Sequence, residues 1–284
     1  MKVLFLLFVF SFHTFASLEK PVLESTCEET DADTLTWDTC IIKTKGSKSK
    51  DVIYYFHGKD GDEKTWLKNY SVAGMLRDYW QENNIDAPTV VTVSFGPIWL
   101  LVRNNGTPTG GLLELVSGKI LPELNSRFAN EGKRILLGQS MGGFNAMQLY
   151  LEDSLRFDKA AFICPAIGQL SPFASDEEVS DYIQRTKASP DKVSDLIRLS
   201  RMFIPNLGFW KKTSPLILAD KVLGEESSPI YLSASLEDDY GFYEGSLLFK
   251  NISKRKGVEI NWRPLSGKHC SHDIISLGSF LTER

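Results

Sequence analysis

Histidine is scarce in this chain: His13, His57, His269 and His272 are the four in 284 residues. Cysteine is equally scarce, with Cys27, Cys40, Cys164 and Cys270 and no C-x2-C pair. Cysteine and histidine meet at ligand spacing only around residues 269–272, so no metal site is expected. Neither sign of charge dominates, since 32 Lys and Arg against 36 Asp and Glu leave a formal charge of −4. No basic stripe is interleaved with aromatics, so nucleic acid is not an expected partner. Internal repeats and low-complexity tracts are lacking too. Beyond the N-terminus no apolar run approaches the ~20 residues that span a bilayer, so no integral membrane anchor is expected in the mature protein.

What is present begins with "MKVLFLLFVFSFHTFAS". Met1-Lys2 leads into a run of ten residues in which only Ser11 is polar. A short positive start, an apolar core and small residues before a cut describe a secretory signal peptide. Thr14 and Ala16 stand at −3 and −1, which predicts residues 1–16 as the signal and Ser17 as the mature start. No cysteine follows the cut, which argues against a bacterial lipoprotein. The expected localisation is secreted or periplasmic, where disulfides persist. Cys27–Cys40 is the expected first pair, closing a short loop, and Cys164–Cys270 follows by elimination, with two free buried thiols as the alternative for that second pair.

The remaining 17–284 reads as one domain. With 42% hydrophobic and 24% charged residues overall, the composition is ordinary for a globular protein. A polar, acidic segment runs to about residue 33 without an assigned element. "TLTWDTCIIK" alternates as a half-buried strand, and "GSKSK" looks like a hairpin loop. "DVIYYF", "PTVVTVSF", "RILLGQS", "KAAFICPA", "SPIYLSAS" and "VEINWRPL" read as strands. Helical patterns separate them, including "WLKNYSVAGMLRDYWQEN", "LLELVSGKILPELNSRF" with a break near Pro122, "GFNAMQLYLED" and "GFYEGSLLFKNISKRK". "SHDIISLGSFL" is the closing helix, with His272 at its start. Alternating strands and helices predict an α/β fold with a mostly parallel central sheet and helices on both faces. Residues 169–225 hold no strand pattern and are expected to form a helical cap insertion. Val193, Leu196, Ile197, Ser200 and Ile204 mark one amphipathic face of it.

Gly138-Gln139-Ser140-Met141-Gly142 lies between "RILL" and a helical stretch. A serine in G-x-S-x-G on a strand-to-helix turn can be held exposed at the carboxyl end of a sheet. Side chains at 138 and 142 would crowd that turn. A hydroxyl needs a neighbouring base, itself oriented by a third group. His13 leaves with the signal, and His57 lies upstream of Ser140. In this arrangement the order is Ser, acid, His. The base is then His269, directly after the last strand, with His272 as the alternative. The acid follows "SPIYLSAS", where Glu237, Asp238 and Asp239 stand. Counting from the strand end favours Asp238, with Asp239 next. Met141 N–H and Lys59 N–H are the candidate oxyanion donors. Gly58 allows close backbone approach, and His57 is a structural histidine beside it.

Four stretches, "HGKDGDEKTW", "GQSMGGFNAM", "SASLEDDYGFYEG" and "LSGKHCSHDIISLGSFL", resemble the α/β-hydrolase superfamily. Within it they are similar to the putative-esterase group of esterase D, feruloyl esterases and mycolyltransferase-like proteins. The resemblance covers roughly residues 35–284. The group's HG-x-x-G-x-x-x-x-W falls on His57, Gly58, Gly61 and Trp66, its elbow on Ser140, its acid on Asp238 and its G-x-H on His269. Ser235 stands where the group has glycine before the acid. The resemblance implies an α/β-hydrolase fold and ester hydrolysis through an acyl-enzyme, with no cofactor. Export points to an extracellular or envelope ester, such as an acylated or feruloylated polysaccharide, or a small aryl or acyl ester. "GPIWLL" and "MFIPNLGFW" are candidate pocket linings. An acyltransferase or peptidase on the same fold, or a non-catalytic hydrolase-like binding protein, is the alternative.

Overall fold

The computed structural model describes residues 20–32, 35–69, 71–128 and 132–283. The expected signal peptide, 1–16, lies outside the described residues. Eight strands form one sheet: β1 (Leu23–Ala32), β2 (Leu35–Thr44), β3 (Val52–Phe56), β4 (Thr89–Ser94), β5 (Arg134–Gln139), β6 (Lys159–Ile163), β7 (Ile230–Ser235) and β8 (Ile260–Leu265). Their order is β1-β2-β4-β3-β5-β6-β7-β8. From β4 to β8 every pairing is parallel, and β1 and β2 add an antiparallel edge.

The central strands are continuous apolar runs because both of their faces are covered. Val52, Tyr54 and Phe56 of β3 enter one core cluster, and Ile53 and Tyr55 enter the other. The second face carries α1 (Val72–Glu82) and the C-terminal α10 (Ile274–Thr282). The first face carries α2 (Leu112–Leu115), α3 (Leu121–Ser126), α4 (Met141–Glu152), α8 (Pro215–Val222) and α9 (Phe242–Arg255). α4 is the most central of these: Met141 through Leu151 are all buried. Three further helices, α5 (Asp176–Thr186), α6 (Pro190–Arg201) and α7 (Leu207–Thr213), come between β6 and α8. Within 169–225, α8 belongs to the main core through Leu216, Ala219 and Leu223.

Four details differ from the sequence expectations. The acidic segment before residue 33 is strand β1, paired along its length with β2, with Cys27 opposite Cys40. Its polar composition suits an edge strand, where carboxylates discourage further pairing. "GSKSK" is not a hairpin loop, because β4 lies between β2 and β3. Alternation reveals a strand but not its partner. The irregularity near Pro122 is a π-type turn over Val116–Ile120, in which Leu121 N–H reaches back to the Val116 carbonyl. Proline lacks the N–H that a regular turn would use there. His272 precedes the last helix rather than starting it, and Asp273 caps that helix by accepting from Ser276 N–H at 3.1 Å.

Both expected disulfides are present, Cys27–Cys40 and Cys164–Cys270. Phe162 on β6 is fully buried and makes edge contacts with Tyr150 of α4 and Phe249 of α9. It joins two helices to the sheet, so Phe162→Ala should destabilise the fold by about 3–5 kcal/mol in urea unfolding.

Candidate active site

Ser140 sits at the carboxyl end of β5, where the chain turns into α4, with φ +54°. A non-glycine residue there is strained by roughly 1–3 kcal/mol, and surrounding bonds must hold it. Its N–H donates to the Ile163 carbonyl at 2.9 Å, and its carbonyl accepts from Phe144 N–H at 3.1 Å and Ala166 N–H at 2.9 Å. The turn is close-packed. A Cβ on Gly142 would lie 2.0 Å from the Phe56 carbonyl oxygen, and one on Gly138 would lie 2.2 Å from the Gly142 oxygen.

Ser140 Oγ lies 2.8 Å from His269 Nε2, and His269 Nδ1 lies 2.7 Å from Asp238 Oδ2. With a carboxylate at Nδ1, the imidazole keeps its proton there and presents Nε2 as an acceptor to the hydroxyl. The Asp238 side chain is fully buried. Its Oδ1 accepts from Tyr240 N–H at 2.9 Å and Phe242 N–H at 3.4 Å, so the charge is hydrogen-bonded on both oxygens. The Tyr240 and Phe242 rings meet the His269 ring at 4.9 and 5.6 Å. The disulfide adds a covalent tether. Cys270 follows His269, and Cys164 follows β6, the strand next to β5.

The two alternative candidates are placed elsewhere. Asp239 turns toward α6, where its Oδ2 takes the Lys192 ammonium. Burial works to raise its pKa, but the Lys192 contact outweighs this and holds Asp239 below the usual carboxylate range. His272 does not reach the hydroxyl, and its Nδ1 is buried without a partner among the described residues. Burial, and then the neighbouring His269, push its pKa down to about 4.

His57 is fully buried, and burial pushes its pKa below the ordinary value. Its Nδ1 faces the Gly58 carbonyl at 2.8 Å, and its Nε2 faces Ser94 Oγ at 2.8 Å and the Trp99 indole N–H at 3.3 Å. Since Nδ1 meets an acceptor, it carries the proton. That bond fixes the Gly58–Lys59 peptide plane. In a planar trans peptide the Lys59 N–H points opposite to the Gly58 carbonyl. Lys59 and Met141 both border the cavity that holds Ser140. The Lys59 ammonium turns to Asp60 on the surface.

The cavity is apolar and holds about 1200 Å3 of space, its open mouth included. Ile98 and Leu100 line it from the segment after β4, and Leu196, Ile197, Ile204 and Trp210 line it from α6, α7 and the turn between them. Parts of both predicted lining stretches therefore reach it, while Trp99 and Leu101 turn into the core. Sequence reasoning missed Asn145, whose side chain holds the 99–101 segment by accepting from Leu101 N–H at 2.8 Å and donating to the Trp99 carbonyl at 3.2 Å. An asparagine on a fully buried helix is the signal for such a clamp. Lys192, Tyr240 and Phe242 carry no sequence signal either, since a lysine or an aromatic has no positional mark of its own. Cys164, His269 and Cys270 lie within 4.8 Å of one another, but both sulfurs are spent in the disulfide and offer no thiolate to a metal.

A family model described as Putative esterase matches residues 42–241. No curated protein sequence matches the chain. Among solved structures, a ferulic acid esterase is similar at TM-score 0.63 and 16% identity, covering 92% of this chain and 97% of that one. Carboxyl esterase 2 of the mycorrhizal fungus Tuber melanosporum is similar at 0.65 and 16%, covering 94% and 89%. An S-formylglutathione hydrolase from Agrobacterium tumefaciens is similar at 0.62 and 13%, covering 91% and 92%. At these identities the likeness is one of fold.

The depressed His272 pKa has a consequence for stability. As pH falls through the ordinary histidine value, about 6.5, the unfolded chain takes up a proton that the folded chain refuses until about pH 4. This contribution to stability is present above pH 6.5 and is lost as pH falls between those values. His272→Gln should flatten the pH dependence of Tm in that window, measured by thermal unfolding.

Proposed function

The chain belongs to the Putative esterase family and is a carboxylesterase-like hydrolase acting on ester bonds, and we propose that it works through an acyl-enzyme on Ser140. The observation that carries this reading is the unbroken hydrogen-bond chain from Ser140 Oγ through His269 to Asp238. In the proposed reaction His269 Nε2 takes the hydroxyl proton as Oγ bonds to the ester carbonyl carbon. The carbonyl electron pair moves onto oxygen, where the Lys59 and Met141 N–H groups receive it. The C–O bond to the alcohol then breaks, and His269 returns the proton to the leaving oxygen. Water repeats the sequence on the acyl-enzyme, releasing the acid and free Ser140. Asp238 holds the Nδ1–H tautomer and stabilises the imidazolium.

The apolar cavity supports an ester with an apolar acyl or aryl group. An acylated or feruloylated polysaccharide is one bearer of such a group, and a small aryl or acyl ester is another. We assign residues 1–16 as a signal peptide, 17–284 as the hydrolase domain and 169–225 as the region of its cap insertion. Two disulfides are consistent with an extracellular protein, and among the described residues no helix is long and apolar enough to cross a membrane.

A fluorophosphonate probe should label the wild-type protein and not Ser140→Ala; labelling that persists in the variant refutes the assignment. His269→Ala should lower kcat for p-nitrophenyl esters by about 10^3-fold or more, whereas His272→Ala should retain most activity. Faster turnover of peptide amides than of esters would favour a peptidase instead. Ile197→Trp, which fills the cap side of the cavity, should shift preference from long acyl chains toward acetate, read as kcat/KM across a chain-length series.

A further inference from the structure

The loop after β7 does more than carry an acid. Its successive residues face opposite ways. Asp238 turns inward to His269, and Asp239 turns outward to α6 of the cap. Four contacts tie this loop to the cap. The Lys192 ammonium pairs with Asp239 Oδ2 and also stands 4.9 Å over the Tyr240 ring. Ser189 N–H donates to the Asp239 carbonyl at 2.8 Å. Tyr182 Oη donates to the Tyr240 carbonyl at 2.9 Å. Just beyond the loop, Arg185 makes a two-pronged pair with Glu244 at 2.7 and 3.0 Å. The Tyr240 ring that the Lys192 ammonium stands over also meets the His269 ring edge-on, with centroids 4.9 Å apart.

We infer that Lys192 and Asp239 form a latch between cap and acid loop that positions Tyr240 against His269 and balances the charge beside the imidazole. The inference rests on the reading of His269 as the base. The Lys192 side chain is 41% exposed, and an ion pair at such a site adds little to global stability. Its effect is local. The second oxygen of Asp239 is buried without a partner among the described residues, so Lys192 is the ammonium that neutralises this carboxylate. Without Lys192, a bare carboxylate next to Asp238 would favour the imidazolium. Without the Asp239 charge, the ammonium would disfavour it. Around His269, Asp238 meets Nδ1, Ser140 meets Nε2, the Tyr240 ring lies against the imidazole, and the charges of Asp239 and His272 act on it. Behind Asp239 and Tyr240 stand Lys192 of α6 and Tyr182 of α5, and Lys268 precedes His269 in the chain. Of these, Lys192 and Asp239 form the pair that links the cap to the loop. Both are positioning residues; neither touches the reacting atoms.

The test is a pair of single variants with opposite signs. In Lys192→Met the imidazole titration of His269, followed by NMR, should move up by about half a pH unit, and in Asp239→Asn it should move down by a similar amount. The acid limb of kcat/KM for p-nitrophenyl butyrate should follow in each case, because the base must be neutral. Lys192→Arg keeps the charge and should restore the wild-type limb, and the double variant Lys192→Met/Asp239→Asn should fall between the singles. Shifts of the same sign in both singles, or none in either while the fold is retained, overturn the latch. The NMR titration reads His269 even in Ser140→Ala. Loss of the nucleophile assignment by the labelling experiment would therefore leave this result interpretable on its own.

Discussion

Between the Phe56 carbonyl and Gly142 there is no room for a methyl group, and the arrangement of the candidate site follows from that contact. It sets how closely the start of α4 approaches the end of β3. With α4 pressed there, the chain leaving β5 must turn sharply, and Ser140 is the residue that takes the strained positive-φ conformation. The same contact brings Met141 and the segment after β3 to the same cavity, so Lys59 faces it too. Backbone strain at one residue is tolerated because a helix buried from Met141 to Leu151 and three main-chain hydrogen bonds over-determine it.

Around that turn the structure deals with buried charge and polarity by pairing. Asp238 is buried, yet both of its oxygens are occupied, one by an imidazole and one by backbone N–H groups. His57 is buried and satisfied at both nitrogens, which makes it a brace for the Gly58–Lys59 peptide rather than a reactive group. His272 is the contrast. One nitrogen has no partner among the described residues, and burial keeps the ring neutral. Environment, not residue type, separates the three imidazoles.

The helices between β6 and α8 line the cavity and also hold the loop after β7. α6 supplies apolar residues to the cavity from one face and Lys192 to Asp239 from another. Lining the cavity and holding the loop of the proposed acid are thus tasks of the same helix. The Cys164–Cys270 bridge plays a similar part from the other side, since it fixes the segment that carries His269 to the end of a central strand. Neither connection involves residues close in sequence.

Periodicity carried most of the architecture, because a strand buried on both faces must be a continuous apolar run and a helix on a sheet must repeat near 3.6. "DVIYYF" and "RILLGQS" are legible for that reason. β1 is not, since an exposed edge strand is defined by its partner and "ESTCEETD" has no apolar pattern. The turn at Ser140 is legible because steric crowding demands glycine at 138 and 142 whatever surrounds them. Asp238 and Asp239 are different: adjacent, identical in chemistry, and equivalent to any reading of composition. Only the folded loop turns one toward His269 and the other toward Lys192, through main-chain bonds to Tyr240 and Phe242 and a helix about 50 residues away in the chain, a distance set by topology rather than local pattern. The sequence by itself determined the layered sheet, the turn and the small set of groups able to act there. Tertiary structure decided which of them meet, because hydrogen-bond geometry is settled by segments that converge only when the sheet is assembled.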